Sequence, residues 1–156
     1  MNKEEFKMFC HKEFTNRGFE KIKKMYYIKG NMGILCGLDL QKSNYGPNYY
    51  VNYYYFIGDF VNVREYPDIY NFDVQGRISV MSKGQTALDG SRFMTSMIAY
   101  EEYSEEELKG YFNKAFDEVI MIPVYRGKGY IMDNLGKLYF LTLRQEQVLE
   151  KLKCGE

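Results

Sequence analysis

Lys42-Ser43 is the pair in this chain that comes nearest to a nucleophile beside a base. A serine–lysine centre needs the amine within hydrogen-bond reach of the hydroxyl. Here the two residues stand where an apolar alternation ends and turn residues begin, and neighbours on a strand point to opposite faces. That fits a solvated lysine and a turn-forming serine better than a catalytic pair. The lone histidine, His11, follows Cys10, but adjacent helical residues diverge by about 100° and do not face each other. Glu101-Glu102 and Glu105-Glu106-Glu107 form the densest acid cluster. Paired carboxylates can hold a metal or share a proton, yet acidic residues at a helix start are favourable through the dipole alone. The stretches Lys83-Gly84-Gln85-Thr86 and Arg126-Gly127-Lys128-Gly129 match neither the phosphate loop nor the dinucleotide fingerprint. Nowhere do nucleophile, base and orienter come together. The sequence therefore points away from an enzyme, with no catalytic residue, no cofactor and no metal expected.

The elements that must carry any site are legible from composition and periodicity. A chain of 156 residues suits one domain, and the expectation is a single α+β domain over residues 1–156. Apolar residues make up 46% and charged residues 27%, the balance of a soluble globular protein. Aromatic content is the unusual figure: 16 Tyr, 11 Phe and no Trp. Tyrosine, with a large apolar body and a polar tip, suits half-buried sheets and contact surfaces. Formal net charge is zero, so the counterion-releasing footprint of a nucleic-acid binder is missing. Residues 1–29 do carry eight Lys/Arg against four Asp/Glu, and residues 101–118 seven Asp/Glu against two Lys, which reads as solvated faces. Cys10, Cys36 and Cys154 are odd in number and lack metal-ligand spacing, as expected in a reducing cytoplasm. The opening Met1-Asn2-Lys3-Glu4-Glu5 has no signal-peptide run, and no stretch approaches the ~20 apolar residues of a membrane span. The expected setting is cytoplasmic, without a membrane.

Residues 3–16 predict an amphipathic helix with Phe6, Phe9, Cys10 and Phe14 on one stripe and Gly18 at its end. Extended segments follow at about 19–28, 33–43, 49–58 and 72–82, with another apolar segment from Phe93 to Tyr100. Ser104 and Glu107 make a capping box, and Leu108, Tyr111, Phe112, Ala115, Phe116, Val119 and Ile120 form a helical stripe that Pro123 is expected to stop. Residues 129–138 are ambiguous, and a last helix runs from Thr142 to about Lys153, with Thr142 and Gln145 as another capping box. The order helix, strands, helices argues for α+β. Short connections argue for a mainly antiparallel four- to five-stranded sheet, with the C-terminal helices packed on one face.

Strand alternation then sorts residues onto two faces. Ile34, Cys36, Leu38 and Leu40, with Val51, Tyr53, Tyr55, Ile57, Val74, Ile78 and Val80, make an apolar face for helices to cover; Ile22, Tyr26 and Ile28 are expected there too. The opposite face gathers Asp39, Gln41, Tyr50, Asn52, Tyr54, Gln75, Arg77 and Ser79. An antiparallel sheet commonly leaves one face in water. Tyr and Arg, however, concentrate contact energy at interfaces. Asp39, Gln41, Lys42, Ser43, Tyr50, Asn52, Tyr54, Gln75 and Arg77 are therefore the candidate binding residues.

The most individual segment runs Leu38-Asp39-Leu40-Gln41-Lys42-Ser43-Asn44-Tyr45-Gly46-Pro47-Asn48-Tyr49-Tyr50-Val51-Asn52. It resembles a bacterial family known only as domain of unknown function forty-three-zero-four, whose hallmark is a Leu-Gln-Lys-Ser strand end that turns into a Tyr-rich strand with Asn. Arg17-Gly18-Phe19 and Gly76-Arg77-Ile78 fit the same pattern, and the likeness covers roughly residues 3–82, more weakly on to Pro123. The resemblance implies a small cytoplasmic bacterial protein with no established activity or cofactor, reminiscent of immunity proteins that neutralise toxins by binding them. Gln41, Lys42 and Ser43 are the motif positions it carries over. A structural explanation stands beside it: Gln41 and Asn52 cross-pair on adjacent strands, and Ser43 closes its turn.

The leading expectation is a non-enzymatic, immunity-like binding protein that engages a toxin-like protein partner through the polar sheet face. The alternative is an enzyme or small-ligand binder with a polar pocket on that face. A nucleic-acid module using Lys21, Lys23 and Lys24 is disfavoured by the balanced charge. The sequence assigns no oligomeric state.

Overall fold

A computed structural model describes residues 1–31, 33–58, 66–67, 71–135 and 145–153, apart from the side chains of 145–147. The first helix, α1 (Lys3–Asn16), starts at Asn2, whose side chain accepts from the Glu5 N–H while Glu5 returns a bond to the Asn2 N–H. This capping box satisfies two of the N–H groups that a helix start leaves unpaired. Phe6, Phe9, Cys10 and Phe14 are buried along one stripe, as their spacing predicts.

The strands are β1 (Glu20–Ile22), β2 (Met25–Lys29), β3 (Ile34–Lys42), β4 (Tyr49–Ile57) and β5 (Val74–Arg77). They form one sheet in the order β1-β2-β3-β4-β5, every pair antiparallel. The expected strand over 19–28 is in fact two strands joined by a turn at Lys23-Lys24, with Lys23 at φ 59. The alternation resets at that turn. Ile22 therefore lies against Tyr27 and Leu35 on the far face, not with Tyr26 and Ile28. The strand expected over 72–82 also divides. Ile78 still donates its N–H to Val51 O at 3.0 Å, and the chain then enters a separate two-stranded sheet of β6 (Val80–Met81) and β7 (Met94–Thr95). Of the segment Phe93–Tyr100, only β7 and a bridge between Ile98 and Tyr49 are extended.

Beyond the capping box of Ser104 and Glu107, α2 (Glu105–Phe116) passes through a π turn (Asp117–Met121) into α3 (Ile122–Arg126). Pro123 does not stop the helix. In a regular helix the Val119 carbonyl would accept from the N–H of residue 123, which proline lacks. The π turn shifts the ladder, so Ile122 N–H bonds Asp117 O, and the Tyr55 hydroxyl donates to the Val119 carbonyl. The orphaned acceptor is thereby satisfied from the sheet. Two helices follow, α4 (Lys128–Asp133), within the stretch the sequence left ambiguous, and α5 (Gln145–Lys153). Thr142 and the capping box expected there lie outside the described residues.

One core unites the sheet face of Ile34, Cys36, Leu38, Val51, Tyr53 and Tyr55 with residues of α1 to α5, down to Val124, Ile131, Val148 and Leu152. The architecture is the expected one: an N-terminal helix, an antiparallel sheet, and C-terminal helices on one face. No helix among the described residues is long and apolar enough to cross a membrane.

Candidate functional site

The far face of the sheet is two surfaces. Next to β1 and β2, Tyr27, Leu35, Tyr54 and Phe56 form a second apolar cluster against Ile22, Met25, Tyr66 and Phe72, and the Tyr27 hydroxyl donates to Pro67 O at 2.7 Å. Towards β5 the face is polar. Register sets Asp39 opposite Asn52 and Asn52 opposite Arg77, a ladder of acid, amide and base across three strands.

Asn52 is the hub and only 1% exposed. Its amide nitrogen donates to Asp39 Oδ1 at 2.9 Å and to Gln41 Oε1 at 3.0 Å, and its oxygen accepts from Arg77 Nε at 3.0 Å. Both N–H groups are thus used. Arg77 also donates to Gln41 Oε1 at 3.3 Å, and its guanidinium carbon lies 3.9 Å from the centre of the Tyr50 ring. The Tyr54 hydroxyl donates to Asp39 at 3.2 Å. Burial raises the Asp39 pKa above the usual carboxylate range, against the opposing pull of the Asn52 and Tyr54 hydrogen bonds and the Arg77 charge. Burial, and the neighbouring carboxylate after it, push the Tyr54 hydroxyl up as well. The proton therefore stays on Tyr54, where it is donated.

Ser43 is buried, accepts from the Tyr45 N–H at 3.0 Å and donates to Met97 Sδ at 3.5 Å. It closes its turn, and Lys42, exposed at the end of β3, is not among its partners. Gln75 faces the network beside Tyr54 without a hydrogen bond to it. The structure thus brings Asp39, Gln41, Tyr50, Asn52, Tyr54 and Arg77 together, with Lys42, Ser43 and Gln75 at the margin. Met97 is the member the sequence missed. It receives the Tyr50 hydroxyl at 3.6 Å and Ser43 from a segment 47 and 54 residues away, and no local pattern announces that. As chemistry, the network is an acceptor–donor chain from Tyr54 through Asp39 and Asn52 to Arg77. Cys10 and Cys36 are buried, with thiol pKa values pushed up by burial. His11 Nδ1 lies 2.9 Å from the Tyr26 hydroxyl. Among the described residues, no group of three or more His, Cys, Asp or Glu is placed to hold a metal.

Arg77 also borders a cleft of about 620 Å³ where β5 passes into β6. Ile78, Met81 and Met94 line it from the sheets, and Lys114, Ala115 and Val119 from α2 and the π turn. Tyr53 lines it too, and its ring fills the space over Gly76, where a Cβ would lie 2.2 Å from Cζ. The cleft lies beside the helices, whereas the sequence reading placed its pocket on the polar face.

A family model described as a domain of unknown function (DUF4304) matches residues 10–122. The chain belongs to that family. No curated protein and no solved structure gives a match. The DUF4304 span contains the whole polar ladder and every residue that lines the cleft, and ends just before Pro123.

Proposed function

We propose that this DUF4304 protein is a non-enzymatic binding protein, bacterial and cytoplasmic in setting and immunity-like in role. In this reading it recognises a toxin-like protein partner through the β5 end of the polar sheet face. The observation that carries it is the stacked pair Arg77 and Tyr50. The arginine is exposed, and the Asn52 hub already fixes its geometry. A pre-ordered arginine on an aromatic ring loses little conformational freedom on binding, which is how a few residues come to dominate an interface. Met94, 56% exposed and lining the cleft that Arg77 borders, adds apolar contact area beside it. Asn52 and Tyr54, being buried, support the surface rather than touch the partner. The test is a pull-down from the native host, followed by affinity measurement with Arg77→Ala/Tyr50→Ala. A loss of roughly 30-fold or more is expected for two central hot-spot residues; a partner held at wild-type affinity by the double variant would overturn the assignment.

A second reading, binding of a small ligand, is favoured by the cleft beside Arg77, whose volume falls in the range of ligand pockets.

A further inference from the structure

The cleft has a character of its own, separate from the polar ladder. Its body is apolar and adaptable, formed by Ile78, Ala115 and Val119 with two methionines, Met81 and Met94. Met94 is 56% exposed, and a flexible thioether left on an open wall is the kind of side chain that repacks around an occupant. The opposite wall includes the π turn, which contributes Glu118 and Val119. Such turns recur at functional sites because they displace side chains from the regular helical path.

Charge narrows the occupant. Three ionic groups border the cleft: Arg77, Lys114 and Glu118. The hydrogen-bond partners of the Arg77 side chain, Asn52 and Gln41, are neutral amides. Among the described residues, Lys114 and Glu118 belong to no ion pair. Among the lining groups two cations face one carboxylate, with Asp39 also drawing on the Arg77 charge from the polar face outside the cleft, and low-dielectric walls strengthen the positive field that remains.

Resting on the small-ligand reading above, we infer that the cleft binds an amphipathic organic monoanion: an apolar aromatic or aliphatic body lies on Met81, Met94 and Val119, and its single acidic head faces Lys114 and Arg77. Glu118 opposes a second negative charge, so a dianion binds less well than a monoanion of the same body.

Two fluorescent probes of similar body separate the claims: anilinonaphthalene sulfonate, an anion, and N-phenyl-1-naphthylamine, which is neutral. The expected result with the full chain is saturable binding of both at one site, with the anion bound more tightly. Lys114→Met should weaken the anion roughly three- to five-fold, the size of one exposed charge interaction, and leave the neutral probe unchanged. Added salt should erase the same difference. Ala115→Phe should displace both probes, with the near-ultraviolet circular dichroism of the variant establishing that it is folded. If the neutral probe binds and Ala115→Phe displaces it, but the anion shows no preference and no response to Lys114→Met, the monoanion inference fails while the small-ligand reading stands. If neither probe binds the folded protein, or folded Ala115→Phe leaves both bound, both fail.

Discussion

Asp39 carries the sharpest consequence at the scale of single residues. Its pKa in the folded protein is raised, chiefly by burial, so the native state holds the proton more tightly than the unfolded chain does. For an acid shifted in this direction, stability is greatest below the unfolded value of about 3.9 and falls as pH rises through the higher folded value. Asp39→Asn keeps an oxygen to accept from Asn52 and Tyr54 but removes the charge. The variant should therefore gain stability relative to wild type at pH 7 and lose that gain at pH 3, read from urea midpoints at the two values. An identical difference at both would rule out a penalty from ionised Asp39. Much of this network was legible in the sequence. Period-two alternation alone puts Asp39, Gln41, Asn52 and Arg77 on one face, whereas register decides which of them meet, setting Asp39 opposite Asn52 with Gln41 on the diagonal. Burial was not legible. Tyr54 is 4% exposed, beside Phe56 and Phe72, because distant residues cover it, and alternation says nothing of what lies above a face.

At the scale of elements, the π turn links helix and sheet through Tyr55 and Val119. Tyr55→Phe should destabilise the fold by about 1–2 kcal/mol, because it leaves the Val119 carbonyl unpartnered. In a Pro123→Ala background the new N–H can take over that carbonyl, so the same change should cost less than half as much. A double-mutant cycle of unfolding free energies reads the coupling directly; additive effects would show that Pro123 is not the reason the hydroxyl is needed. The sequence had Pro123 ending the helix; the proline does break the hydrogen-bond ladder, but the helix runs on through the π turn. That outcome depends on a tyrosine 64 residues away. The hairpin at Lys23-Lys24 was hidden for a different reason. Its left-handed residue is a lysine, φ 59, where glycine or asparagine would have signalled the turn. The capping box at Ser104, being wholly local, was legible in full.

On the scale of the whole molecule, the DUF4304 span is smaller than the folded unit. It stops at residue 122, while Val124, Ile131, Val148 and Leu152 beyond it are buried in the same core as Cys36 and Phe112. Lys151 reaches back to Asp73, whose other oxygen accepts the Ile57 N–H at 2.8 Å. The β2–β3 turn also crosses the boundary: Asn31 N–H bonds Val124 O at 3.1 Å, and its side chain bonds Tyr125 O at 2.7 Å. Gly30 leaves no room there, since a Cβ would lie 2.3 Å from Val124 Cγ1 and 2.4 Å from Val124 O. Gly30→Ala should therefore cost about 2–3 kcal/mol by overpacking, measured as a lowered urea midpoint with an unchanged slope. An unaltered midpoint would mean that α3 is not held against this turn.

The ring of Tyr53 ties one wall of the cleft to Gly76, which does not line it. Any side chain at position 76 would meet that fully buried ring, so this wall stands where it does only while a residue outside the lining is glycine. Variation among relatives at this glycine would therefore come with a compensating change at Tyr53.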